Sequence, residues 1–262
     1  MLNQEINEKF AIVVVSCDKY SDLWPPFFDL FFKNWEDCPF KLYLLSNNLT
    51  YSHPKVFPLM SGDDTTWSMN IKKVIPHIKE DYIFMLLEDH FITGKIKNKE
   101  ILPLIIKMHK EGYNYLRFTP NPKSDFWLVD DHGKINKDSV YRTSTPFSIW
   151  RKSVLLSLLN DKETAWDFEI LGSERSSKYD NFFLVNYDFN SVHGVKRGKW
   201  YRNAVFRLKK IGVSIDLNNR QIMSKKEYIK NRFIDIFHLI AMKFFPNTLL
   251  KKILKYRNTY YN

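Results

Sequence analysis

Cysteine is scarce in this chain. Cys17 and Cys38 are the whole complement in 262 residues, and neither belongs to a CxxC pair. Two thiols cannot build a disulfide framework, which points to a reducing compartment. Glycine and proline are sparse as well, at 8 and 11, and no low-complexity run occurs, which excludes a disordered chain. No uninterrupted apolar run approaches the ~20 residues needed to span a bilayer. The opening Met1-Leu2-Asn3-Gln4-Glu5 lacks the basic-then-apolar layout of a signal peptide. The expectation is a protein made in the cytosol and kept there.

Apolar and basic residues are what the chain has. Hydrophobic residues make up 44%, and 21 Phe, 14 Tyr and 7 Trp supply large buried area for one sizeable domain, with or without an appendage. The formal net charge is +11. Such an excess attracts nucleic acids, anionic lipid surfaces or phosphorylated substrates and says nothing about fold.

The run Phe10–Cys17 is continuously apolar and β-branched, as in a strand buried on both faces. A Pro-started, aromatic-rich helix is expected from Pro25-Pro26 to Trp35, then a strand at Lys41–Ser46 and a weaker one at Val56–Leu59. Asp63-Asp64-Thr65 offers N-cap chemistry for a helix through Trp67, Ile71, Val74, Ile75 and Ile78. Tyr82–Leu87 is the next buried strand. Further strands are expected at Tyr115–Phe118 and Phe182–Val185, an extended stretch at Tyr141–Trp150, and helices at Leu102–His109 and Ser153–Leu159. Alternating strands and helices predict an α/β sandwich, in which ligands collect at the carboxyl ends of strands. Ser16-Cys17-Asp18 and Glu88-Asp89-His90 both fall at such ends.

Glu88-Asp89-His90 is the most informative triplet. A carboxylate and an imidazole so close can reach one divalent cation, and carboxylate oxygens suit Mg²⁺ or Mn²⁺. The bland alternative is a solvated loop after a strand. The segment His193-Gly194-Val195-Lys196-Arg197-Gly198-Lys199-Trp200 joins a His to three cations and two glycines; cations neutralise phosphates and glycines let backbone approach them. Its alternative is a basic surface turn. Trp166-Asp167-Phe168-Glu169 sets two carboxylates among aromatics, where one can serve as a general base. A plain helix start, with Asp167 and Glu169 pairing Arg175 or the helix dipole, explains it equally well.

A strand ending in an acidic triplet, then Pro146-Phe147-Ser148-Ile149-Trp150-Arg151, then Trp166 to Glu169, then the His-Gly and Lys-Gly-Lys-Trp segment together resemble bacterial GT-A glycosyltransferases of surface-polysaccharide synthesis (lipopolysaccharide or capsule). The resemblance covers roughly residues 10–215. It implies a GT-A-like, Rossmann-like mixed sheet flanked by helices, and transfer of a sugar from a nucleoside-diphosphate sugar to a lipid-linked or oligosaccharide acceptor, with inversion. Glu88-Asp89-His90 takes the place of the family's DxD motif and is similar to its Asp-x-His variant. His193 with Lys196 to Trp200 is similar to the family's His-x-x-Gly-x-x-Lys-Pro-Trp stretch, although Gly194 follows the His directly and no Pro precedes Trp200. The resemblance thus implies a divalent metal, Mn or Mg, on Asp89, His90 and His193. It implies donor contacts from Ser16, Cys17, Asp18, Tyr20, Asp64, Trp67, Ser68, Glu88, Lys196, Arg197, Lys199 and Trp200. The base is implied at Asp167, with Glu169 holding an acceptor hydroxyl or a basic partner.

From Ser224 onward the composition changes. Ile229, Phe233, Ile236, Phe237, Ile240 and Phe244 follow helical spacing among Lys and Arg residues, and Pro246 separates a second basic helix. A division into a catalytic domain, 1–222, and basic amphipathic helices, 223–262, is expected. Such helices either lie on a membrane, placing the protein peripherally on the cytoplasmic face of the inner membrane, or pack on the domain. A nucleotidyltransferase acting on sugar phosphates is the nearest rival enzyme, but no glycine-rich loop follows the first strand. A nucleic-acid-binding protein would use the same charge, yet no nucleic-acid signature occurs and much of the basic surplus sits at the C-terminus.

Overall fold

The computed structural model describes residues 2–119, 126–127 and 132–261. Helix α1 (Leu2–Lys9) leads into strand β1 (Phe10–Val15), followed by α2 (Trp24–Asn34), β2 (Lys41–Ser46), β3 (Val56–Met60), α3 (Trp67–Val74) and β4 (Tyr82–Leu87). These four strands lie parallel in the order β3-β2-β1-β4. Then come β5 (His90–Ile92), α4 (Asn98–Lys110), β6 (Tyr115–Arg117), β7 (Phe126–Trp127), β8 (His132–Lys134), β9 (Ser148–Arg151), α5 (Lys152–Leu158), α6 (Ala165–Asp167), α7 (Ser173–Arg175) and β10 (Phe182–Val185). The main sheet continues past β4 as β9-β6-β10-β8-β7, with β9 antiparallel to both neighbours. The result is a mixed sheet with helices on both faces.

β1 shows why it must lie at the centre. Every residue from Phe10 to Val15 is buried, and alternate side chains go to opposite faces. Phe10, Ile12 and Val14 join the layer made by Trp24, Phe27 and Phe31 of α2 and Ile101 and Ile105 of α4. Ala11, Val13 and Val15 join Ile71 and Val74 of α3 and Val154, Leu155 and Leu158 of α5. A strand with no polar face needs cover on both sides.

Two local expectations are corrected. Helix α3 is capped by Thr66, whose hydroxyl accepts the Met69 N–H at 3.1 Å, and not from Asp63-Asp64-Thr65; Asp64 is taken up by Asn70. The extended stretch Tyr141–Trp150 shrinks to Ser148–Arg151, because Tyr141 and Phe147 both have φ of 49°, a left-handed conformation that breaks an extended run.

Past the sheet lie β11 (Ser191–His193), the hairpin strands β12 (Val195–Lys196) and β13 (Lys199–Trp200), and helices α8 (Arg202–Lys210), α9 (Lys225–Phe244) and α10 (Asn247–Tyr261). Ser224 caps α9 in a reciprocal pair with Glu227. Ala241, Leu250 and Leu254 of the last two helices pack with Val140, Tyr141 and Ile170. Among the described residues no helix is long and apolar enough to cross a membrane.

Candidate metal and nucleotide site

Strand β4 ends at Leu87, and Glu88-Asp89 turns the chain into β5. β5 pairs antiparallel with β11 in a register that sets His193 opposite His90. The two imidazoles stack with centroids 4.6 Å apart. Asp89 reaches both, with Oδ2 at 3.1 Å from His193 Nε2 and Oδ1 at 3.8 Å from His90 Nε2. One donor atom from each residue lies within 4.8 Å of the others, enough to hold one metal ion. The sequence-predicted ligands Asp89, His90 and His193 are thus brought together. Gly194 makes this possible: its N–H donates to the Asp89 carbonyl at 2.7 Å, and a Cβ there would lie 2.2 Å from the Phe91 ring.

The protonation states suit a cation. Burial pushes His90 down to about 4, against the opposing pull of Asp89, so its imidazole is neutral with a free lone pair at neutral pH. Burial would raise Asp89, but the His193 hydrogen bond and the two neighbouring imidazoles hold it below the usual carboxylate range. Two imidazoles with one carboxylate suit Mn²⁺ better than Mg²⁺, which prefers all-oxygen shells.

Glu88 stands apart from this group. Its carboxyl is buried and raised well above the ordinary range by that burial and by the neighbouring Asp89 charge. Arg220 offsets part of the effect and is the residue that sequence reasoning missed. It is bidentate to Asp22, at 2.9 and 2.8 Å, and donates to the carbonyls of Lys19 and Gly198. Its guanidinium also lies 4.4 Å from the Tyr20 ring centroid. This buried ion pair staples the loop after β1 to the basic hairpin. No local motif announces a pairing across 198 residues.

The loops after β1, β2 and β3 are tied into one polar cradle. The Asp18 carboxylate accepts the backbone N–H groups of Asn47, Asn48 and Leu49 at 3.0–3.2 Å. The Asn47 amide donates to Ser61 and Asp64, and Asp64 also accepts from Asn70 and Lys19. Ser16 accepts the Trp24 indole N–H at 2.8 Å. Burial pushes the Cys17 thiol up to about 11, so it is no nucleophile at neutral pH. Tyr20 is raised by burial and by Glu88, a sign that this loop lies beside the end of β4.

Other predicted residues are placed elsewhere or already engaged. Trp67 packs on Phe168 with centroids 5.3 Å apart, and Ser68 is fully buried. Trp200 is buried against Phe91, a core residue and no ligand platform. Arg197 and Gly198, with φ of 53° and 72°, form the two-residue turn of the basic hairpin. Lys196 pairs with Asp235 at 2.5 Å and Lys199 with Glu227 at 2.6 Å, so both are held by α9.

The two candidate base carboxylates part company. Asp167 spends its Oδ2 on the Thr164 N–H and hydroxyl, closing a capping box at 2.9 and 2.6 Å. That is a structural task. Glu169 Oε1 accepts from the Thr145 N–H, the Thr145 hydroxyl and the Ser144 hydroxyl at 2.7–3.2 Å. Burial nonetheless raises its carboxyl. The segment from Ser144 to Phe147 links this residue to the metal group, since the Phe147 ring meets His90 edge-on at 5.7 Å.

Among solved structures, residues 1–349 of TarS from S. aureus are similar, with TM-score 0.45 and 10% identity over 68% of this chain and 60% of that one. One structure of that fragment is a complex with UDP, at TM-score 0.44 and 10% identity, over 69% of this chain and 61% of that one. The bifunctional IspDF from Campylobacter jejuni is similar at TM-score 0.41 and 13% identity, over 69% of this chain and 50% of that one. Mannosyl-3-phosphoglycerate synthase from Rubrobacter xylanophilus gives 0.42 and 12%, over 84% and 80%. The chain therefore spans about 60% of the TarS fragment and half of IspDF. No family model and no curated protein sequence matches it.

Proposed function

We propose that the protein is a nucleotide-sugar-dependent glycosyltransferase. It moves a sugar from a nucleoside-diphosphate sugar to a lipid-linked or oligosaccharide acceptor in surface-polysaccharide synthesis, with inversion. The observation that carries this reading is the Asp89, His90 and His193 group at the end of β4, beside the cradle that joins the ends of β1, β2 and β3. Nucleotides lie across such strand ends in open α/β sheets.

Asp89, His90 and His193 would hold Mn²⁺, which when bound neutralises the charge that builds on a departing diphosphate. Asp18, Asn47 and Asp64 brace the loops against which a nucleoside would lie. Arg220 and Asp22 fix the basic hairpin against that cradle, while Lys196 and Lys199 of the hairpin are paired with Asp235 and Glu227 of α9. Glu169 is supported as the base by its raised carboxyl and its link through Ser144 to Phe147 toward His90; Asp167 is already engaged as a cap. A base of this kind takes the proton from the attacking acceptor hydroxyl. A lipid-linked acceptor calls for a peripheral protein at the cytoplasmic face of the inner membrane. Nucleic acid is not a partner in this reading.

Titration calorimetry with UDP and GDP, with and without Mn²⁺, tests it. Binding is expected to tighten when Mn²⁺ is added. Asp89→Ala and His193→Ala are each expected to abolish that gain and most transfer while the fold persists. Full transfer in EDTA would remove the metal from this reading. Release of pyrophosphate from a nucleoside triphosphate and a sugar phosphate would identify a nucleotidyltransferase instead.

A further inference from the structure

Helix α9 is mounted inside out over its first three turns. A surface helix ordinarily turns its apolar stripe toward the core and its charges toward water. Here the side facing the body is polar over the first three turns, and Ala241 and Met242 pack on the core near the C-terminal end. Glu227 pairs with Lys199, Asp235 with Lys196 and the Tyr201 hydroxyl, and Asn231 is buried. The opposite side carries Ile229, Phe233, Ile236, Phe237 and Ile240, each 44–68% exposed. Their spacing of three, four or one falls on one face at 100° per residue. Among the described residues, Ile229, Phe233, Ile236 and Ile240 belong to none of the buried hydrophobic clusters.

The chemistry around the stripe says what it suits. Lys225, Lys226, Lys230 and Arg232 stand exposed on the same helix, in a chain of net charge +11. A second copy laid on this face would bring like charges together, which disfavours self-association. An anionic surface is complementary to it. A helix with bulky apolar residues on one face and flanking cations lies in the plane of a lipid interface, rings among the acyl chains and cations on the headgroups. We propose that the outward face of α9 docks on an anionic lipid bilayer. The proposal names the surface for the membrane location in the reading above and rests on that reading for its purpose, while its physical basis is the inverted helix. Through Asp235 and Glu227, the same helix holds the hairpin that carries Lys196 and Lys199.

Co-sedimentation of the full chain with vesicles of phosphatidylcholine, with and without phosphatidylglycerol, tests it. The wild-type protein is expected to pellet with the anionic vesicles, less with the neutral ones, and less in high salt. Phe233→Ser with Phe237→Ser should weaken pelleting by roughly tenfold for each ring removed, with unchanged circular dichroism and unchanged UDP binding. Lys226→Glu with Lys230→Glu should remove the preference for phosphatidylglycerol and leave the fold intact. Wild-type protein that stays in the supernatant overturns the proposal, as does a double Phe variant that pellets like wild type. Dimers in buffer that the same variant dissolves would assign the stripe to a second copy and overturn it too. UDP titration on the same preparations separates the two readings: vesicle binding without UDP binding removes the transferase, and UDP binding without vesicle binding removes only the docking surface.

Discussion

Glu169 is a half-buried carboxyl that takes three donors on one oxygen. Burial raises its carboxyl above the ordinary range, against the pull of Thr145 and Ser144. The folded protein therefore holds this proton more tightly than the unfolded chain does. The group's contribution to stability is full below its unfolded value and is lost as pH rises through the raised one. Glu169→Gln, which keeps an acceptor for Thr145 and removes the charge, is expected to hold or slightly raise the melting temperature at pH 7. As the base it should cost about 10²–10⁴ in transfer rate, and the wild-type rate should begin to fall on acidification above the usual carboxylate range. Asp167→Asn should do the opposite. It weakens the Thr164 capping box, worth roughly 0.5–2 kcal/mol, and leaves turnover near wild type. Calorimetry and a pH–rate profile of the two variants decide between them. A full rate for Glu169→Gln would place the base elsewhere.

At the scale of elements, the candidate metal site is a product of one strand pairing. β5 follows β4 by a two-residue turn, and β11 lies against it only because Gly194 lets the chain pass the Phe91 ring. Gly194→Ala would need that ring to move, and overpacking of this kind typically costs about 1–3 kcal/mol. The expected outcome is a lower melting temperature together with weaker Mn²⁺ binding, since β11 carries His193. Unchanged Mn²⁺ affinity in a destabilised Gly194→Ala protein would mean that the ligands do not depend on this register. The loop after β1 and the basic hairpin are joined by Asp22 and Arg220, both under a tenth exposed at their side chains. Arg220→Met leaves the Asp22 charge buried without its partner, a loss of roughly 3–5 kcal/mol. Adding Asp22→Leu should recover part of the stability and none of the nucleotide affinity.

For the whole molecule, the tail belongs to two surfaces at once. Its inner side covers Val140, Tyr141 and Ile170, next to Glu169, and holds the basic hairpin by two ion pairs. Its outer side exposes Ile229, Phe233, Ile236, Phe237 and Ile240. A chain ending at residue 222 would expose that small cluster and release Lys196 and Lys199. It is expected to melt earlier than the full protein, with altered UDP affinity, in calorimetry of the two forms. An unchanged melting temperature would make residues 223–262 a separable module.

Much of this architecture was already present as pattern. The continuous apolar runs of β1, β2 and β4, the aromatic α2, and the paired tail helices divided at Pro246 all follow from local composition and period, because burial on both faces or on one leaves a periodic trace in the residues themselves. Asp89 and His90 were legible for a similar reason, since strand ends in α/β sheets are where polar residues become ligands. The resemblance placed His193 with Asp89 and His90, though no local pattern shows that pairing across 104 residues, and neither the Asp22–Arg220 staple nor the fate of Lys196 and Lys199 was legible. Such contacts depend on which strands and helices meet, a choice made by the whole core and written in no single segment. The mounting of α9 is the plainest case. Its spacing determined that the helix has an apolar face, but the pairing of Lys196 and Lys199 with Asp235 and Glu227 and the packing of Ala241 on Val140 and Ile170 decided that this face points outward.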